Sequence, residues 1–141
     1  MIQASTLYRA TGDRGFTLVE LVIAVAVLAI IVAIAIPSYG RYVVETNRGE
    51  GKVAINNAAQ ALERCYSRFS RYNAGGCTVT FPIASENNWY SVTAVLDATT
   101  YTLTAAPQNS QATNDAECAN LTLTHTGVRG ISGTGTVGDC W

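Results

Sequence analysis

The 141-residue sequence predicts an α+β fold, a roll in which a long N-terminal helix packs on an antiparallel β-sheet of three or four strands. Three observations predict it. Sixteen consecutive apolar residues, Leu21 to Ile36, lead into a stretch where Ile55, Ala58, Ala59, Leu62, Tyr66 and Phe69 recur at helical spacing. After Asn73-Ala74-Gly75-Gly76 the composition shifts to Thr, Val and aromatic residues that alternate with a period of two. Cys65, Cys77, Cys118 and Cys140 are spread over the end of the helical stretch and the region beyond it. A helix with one apolar stripe must bury it, and an antiparallel sheet offers one apolar face.

The first element spans residues 16–37. From Phe16 to Ile36 there are twenty-one residues with a single charge, Glu20. A run of about 20 apolar residues is enough to cross a hydrocarbon core. A carboxylate costs about 2.5–3.5 kcal/mol at the centre of a spanning helix and less towards its end, so Glu20 calls for a partner. Gly15-Phe16-Thr17-Leu18-Val19-Glu20-Leu21, with Arg14 before it and the apolar run behind it, resembles the N-terminal signature of type IV pilins. The resemblance implies that residues 1–15 are a leader, which a prepilin peptidase removes after Gly15. It implies that Phe16 becomes the new N-terminus and is N-methylated. It also implies that helix 16–37 anchors the subunit in the bacterial inner membrane, then packs in the centre of a helical fibre. Phe16 and Glu20 are its assembly residues. Glu20 of one subunit meeting the Phe16 amine of the next turns two costly charges into one pair, and breaking a buried pair costs about 3–5 kcal/mol.

An ordinary secretory signal is the rival reading. Ala33-Ile34-Ala35 fits a small-x-small cleavage pattern and would start the mature chain at Ile36. Against it, the apolar run is longer than the roughly 7–15 residues of a signal core, an acid intrudes near its start, and the helical pattern continues beyond Pro37.

The second element, residues 38–72, reads as the amphipathic half of the same helix, reaching about Phe69. Arg64, Arg68 and Arg71 fall opposite its apolar stripe. Pro37, Gly40, Gly49 and Gly51 weaken its first half, because proline removes a backbone donor and each glycine costs about 1 kcal/mol against alanine. A bend or a frayed turn is the plain expectation. The resemblance implies more, a segment that can melt within a fibre.

Residues 73–141 form the sheet region. Tyr90, Val92, Ala94 and Leu96 alternate with Ser91, Thr93 and Val95; Asp97-Ala98-Thr99 turns the chain; Tyr101, Leu103 and Ala105 alternate again. A third strand over 120–126 sets Leu121 and Leu123 inward. The stretch from Pro107 to Glu117 reads as polar and irregular, and the glycines from Gly127 to Gly138 make the tail loop-rich. By resemblance, residues 70–88 and 118–140 lie on the fibre surface.

An even cysteine count downstream of an export element points to two disulfides. Three pairings are open, and the expected one joins sequence neighbours, Cys65–Cys77 and Cys118–Cys140. No Cys-x-x-Cys spacing occurs and His125 is the only histidine, so no metal site is expected, and no cofactor either. The chain is not read as an enzyme. His125 stands alone in a Thr-rich strand, and Gly130-Ile131-Ser132-Gly133 lacks the strand-to-helix setting and the lysine of a phosphate loop. The formal net charge is −1, and loss of Arg9, Arg14 and Asp13 with the leader leaves seven bases against nine acids. A general nucleic-acid binder is usually strongly basic, and this chain is not.

The reading is therefore a structural subunit of a type IV pilus, serving adhesion, twitching motility or DNA uptake. Its partners are other pilin subunits, the prepilin peptidase, the inner-membrane assembly machinery and, before assembly, the membrane itself. One motif points further. Residues 63–72 interleave Arg64, Arg68 and Arg71 with aromatics, a pattern that can hold phosphates and stack on bases. This makes a DNA-binding minor pilin for competence the alternative function. The plainer account is a helix end with Tyr66 and Phe69 in the core and arginines favoured by the C-terminal dipole; the place of both aromatics on the apolar stripe favours that account. A pseudopilin of type II secretion shares the N-terminal motif, but Asp115 and Asp139 are too isolated for the calcium loop such proteins often carry.

Overall fold

A computed structural model describes residues 15–141. The leader assigned to residues 1–15 therefore lies outside the described residues except for Gly15. The chain divides after Ser38 into two units. The first of them holds the apolar half of helix α1 (Leu18–Phe69), whose side chains from Leu18 to Ile36 are exposed throughout. Thr17 Oγ1 accepts the Glu20 N–H at 3.2 Å and caps the start. The helix continues through Pro37 without the expected frayed turn, and Ser38 Oγ donates to the Ile34 carbonyl at 3.2 Å.

Residues 39–141 carry the core. The sheet has five strands in the order β1 (Ile83–Ala84), β2 (Tyr90–Leu96), β3 (Tyr101–Pro107), β4 (Leu121–Thr124) and β5 (Arg129–Ile131), each antiparallel to its neighbour. Register places Val92 opposite Ala105 and Leu103 opposite Leu123. These inward residues join Tyr90, Tyr101 and Leu121 against Ala54, Ile55, Ala58 and Leu62 of α1. The α+β class and the long helix on an antiparallel sheet match the expectation from sequence. The strand count does not, since five replace three or four. The two outer strands are two and three residues long, too short to display a period of two, and β5 has Gly130 at its centre.

Two segments read as irregular acquire structure. Within 107–117 a short helix, α2 (Asn109–Asn114), forms with Gln111 buried. In the glycine-rich tail β5 is followed by α3 (Val137–Cys140), and Trp141 covers the sheet edge, donating from Nε1 to the Gly130 carbonyl at 3.0 Å. The Arg129 guanidinium stacks on the Trp141 ring, 5.1 Å from its centroid. Cysteines are bonded as Cys65–Cys77 and Cys118–Cys140, with Cα–Cα separations of 5.6 Å in both.

At position 51 a glycine lets the sheet meet the helix. A Cβ there would stand 2.8 Å from Tyr90 Cγ, so the ring lies directly on the helix backbone. That close approach keeps Tyr90 fully buried while its hydroxyl reaches a polar cluster deeper in the domain.

Candidate functional site

Phe16 and Glu20, the residues expected to act in assembly, lie exposed at the start of α1. Phe16 is 84% exposed, and Glu20 follows one turn later. Among the described residues the single ion pair is elsewhere, so none of them sets a cation against the Glu20 carboxylate. The apolar side chains behind it are available all round, which suits either lipid or a bundle of like helices. By length and composition this helix can cross a membrane.

At the other end of α1, Arg64 and Arg68 line one open groove with Cys65, Phe69, Gly76 and Cys77. Arg71 is exposed but lies outside the groove lining. The expected burial of Tyr66 and Phe69 is corrected here: they are 36% and 44% exposed. The reason is a local change of direction. The chain leaves the helix at Ser70, whose φ is +53°, and Tyr72 swings back into the core in their place. Tyr72 packs edge-on against Tyr101 with centroids 4.8 Å apart, leaving Tyr66 stacked on its outer side at 4.6 Å. Tyr72 also donates its hydroxyl to Glu63 at 3.0 Å. Phe69 lies over Gly76, where an added Cβ would come within 2.6 Å of Cζ. Cations and exposed aromatic surface therefore share this end of the domain, a combination able to hold a phosphate backbone and meet a base face.

A second cluster escaped the sequence reading altogether. Arg48 is buried and forks onto Asp115, with Nη2 to Oδ1 at 2.7 Å and Nε to Oδ2 at 3.1 Å. Tyr90 Oη donates to Asp115 Oδ2 at 2.9 Å and Gln111 Nε2 donates to the same oxygen at 3.1 Å. Gln111 Nε2 also meets the Val44 carbonyl at 3.0 Å, and Asn47 Nδ2 donates to Gln111 Oε1 at 3.2 Å. Burial opposes the charge on Asp115, but the hydrogen bonds from Arg48 and Tyr90 outweigh it and hold the carboxyl below its usual range. The bond to Asp115 raises Arg48 despite burial, and burial pushes the Tyr90 phenol up. No buried side-chain polar atom among the described residues lacks a partner. The cluster locks α2 and the segment after it onto α1 and leaves no group free for chemistry. One signal was available: Arg48 falls in phase with Gly51, Ile55, Ala58 and Leu62, on the buried face. Asp115, in a polar stretch, gave none.

Comparison with known proteins draws these observations together. The family model described as "Type IV minor pilin ComP, DNA uptake sequence receptor" matches residues 37–122, which include the arginine groove and the buried cluster. The chain belongs to this type IV pilin family. A second model, the prokaryotic N-terminal methylation motif, matches residues 11–36. The pilin is 36% identical over 61 residues to the type IV major pilin protein PilA of Myxococcus xanthus, covering 43% of this chain and 28% of that one. It is 50% identical over 39 residues to the type IV major fimbrial protein FimA of Dichelobacter nodosus, covering 28% of this chain and 24% of that one. The chain thus matches only about a quarter of the length of these relatives. Its fold is like that of the non-core minor pilin PilV of Neisseria meningitidis, with a TM-score of 0.52 and 23% identity over 67% of this chain and 92% of that one.

Proposed function

We propose that this type IV pilin is a minor subunit that binds DNA, presenting Arg64, Arg68 and Arg71 to duplex phosphates so that an assembled fibre captures DNA for uptake. One observation carries the reading: the family model of a DNA uptake sequence receptor runs through the segment holding these arginines. The exposure of Tyr66 and Phe69 supports it, because it removes the argument that both aromatics are merely core. Before assembly the subunit spans the inner membrane through helix 16–37. A prepilin peptidase cuts between Gly15 and Phe16, and Phe16 is N-methylated. The pilus machinery then draws the helix into the fibre, where Glu20 pairs with the Phe16 amine of a neighbour and sets the axial register. The subunit acts by assembly and binding rather than by catalysis.

Two measurements test this. Protein recovered from its own membranes or fibres should begin at Phe16 with one added methyl, and Glu20→Gln should be processed normally yet fail to enter fibres. A mature start near Ile36 would overturn the pilus reading. For DNA, the full chain in detergent micelles is titrated with a randomised-sequence duplex pool at several salt concentrations. Each arginine changed to glutamine should lower the log–log salt slope by about 0.9, and affinity should fall with it. Slopes unmoved by all three changes together would remove DNA from the account.

A further inference from the structure

The groove at the end of α1 has two walls of different character. One wall is the helix, with Arg64, Cys65, Arg68 and Phe69. The other is the loop carrying Gly76 and Cys77. Among the described residues, the backbone of 73–80 makes one hydrogen bond, from the Cys77 N–H to the Ala74 carbonyl at 3.0 Å, and that bond stays inside the loop. None reaches α1 or the sheet. Tyr72 and Val79 pin the loop's two ends to the core. Between them the Phe69 ring over Gly76 and the Cys65–Cys77 bond hold the wall against the helix.

The two disulfides also differ in access. Cys118 and Cys140 are both fully buried, whereas Cys77 is only partly buried at the groove. An attacking thiolate therefore reaches Cys77 Sγ first. Arg64 and Arg68 beside it favour both the incoming thiolate and the departing Cys65 thiolate, since neighbouring cations stabilise sulfur anions.

We propose that the Cys65–Cys77 bond is a redox latch on the arginine groove; the inference rests on the DNA reading above. A dithiol attacks Cys77 Sγ, forming a mixed disulfide and releasing Cys65 as thiolate. The dithiol's second thiolate then displaces Cys77 and closes its own disulfide. Two electrons and two protons pass from the dithiol to the cystine. The loop is freed, the groove loses its second wall, and the arginines lose the rigid setting in which they meet DNA. The core and the Cys118–Cys140 bond remain.

The test uses the full chain in detergent micelles, titrated with dithiothreitol and quenched by alkylation, with the Cys65→Ser/Cys77→Ser double variant alongside. The first two thiols released should be Cys65 and Cys77, amide exchange should rise within residues 73–78 alone, and the melt should stay cooperative. Retention of the randomised duplex pool should weaken about tenfold, the worth of one well-placed contact, and recover on reoxidation. Reduced protein or double variant holding DNA as tightly as the oxidised protein would overturn the latch and leave the DNA reading standing. Reduction of Cys118–Cys140 first, or loss of the cooperative melt, would overturn it too. Oxidised protein that fails to retain DNA would overturn both.

Discussion

Replacing Asp115 by alanine should be among the most damaging single changes outside the apolar core. The carboxylate is 1% exposed and accepts from Arg48 twice, from Tyr90, from Gln111 and from the Cys118 N–H. Its removal leaves Arg48, whose side chain is 10% exposed, charged and without an anion. Breaking a buried pair from one side costs about 3–5 kcal/mol. A domain is stable by only about 5–15 kcal/mol in total. For a domain of this size each kcal/mol moves the melting temperature by about 4–8 °C, so a fall of about 12–40 °C is expected. Near-ultraviolet circular dichroism and the fluorescence of Trp89 and Trp141 follow the melt of the full chain in micelles. The pair Arg48→Met with Asp115→Leu should recover most of the loss, because no orphan charge remains. The same carboxylate makes stability depend on acid. Its folded pKa lies below the unfolded value of about 3.9, so its contribution is complete above that pH and is lost as the pH falls through the folded value. Asp115→Asn should lack that extra acid sensitivity. An Asp115→Ala protein that melts with the wild type would refute the argument that this buried pair ties the segment after α2 to α1.

Two further changes probe packing. Gly51→Ala places a methyl 2.8 Å from the Tyr90 ring and should destabilise by about 1–3 kcal/mol, read in urea as a lower midpoint at constant slope. Tyr90→Leu in the same background should relieve part of the loss; if it adds in full, the ring contact is not the cause. Breaking Cys118–Cys140, whose cysteines are 22 residues apart, by Cys→Ala at both positions should cost about 3 kcal/mol, measured by the same titration. A loss well below that would mean that Trp141 and β5 already fix the tail.

Much of the architecture was legible because it depends on neighbours in sequence. A run of sixteen apolar residues, a stripe at three- and four-residue spacing, and the alternation of Tyr90 to Leu96 against Tyr101 to Ala105 each report one element's local period. The helix Leu18–Phe69 and the β2–β3 hairpin follow from them. The Gly15–Leu21 signature was likewise complete within a few residues, and the family match agrees with it. The candidate DNA site was half visible: the arginines could be named, but the exposure of Tyr66 and Phe69 turned on Tyr72 entering the core from outside the helix.

Tertiary structure alone decided the rest, and the reason is range. Gln111 and Asp115 are buried because Arg48, Asn47 and Val44, more than sixty positions earlier, offer them partners, and no local pattern records such an offer. β1 and β5 exist because the central strands present free edges to them, not because two or three residues have a preference of their own. The arginine groove needs a loop wall whose place is set by the Cys65–Cys77 bond. Local periodicity determined that a long helix would meet a sheet; contacts between distant residues determined which polar groups the fold could bury and which aromatic rings it would leave at the surface.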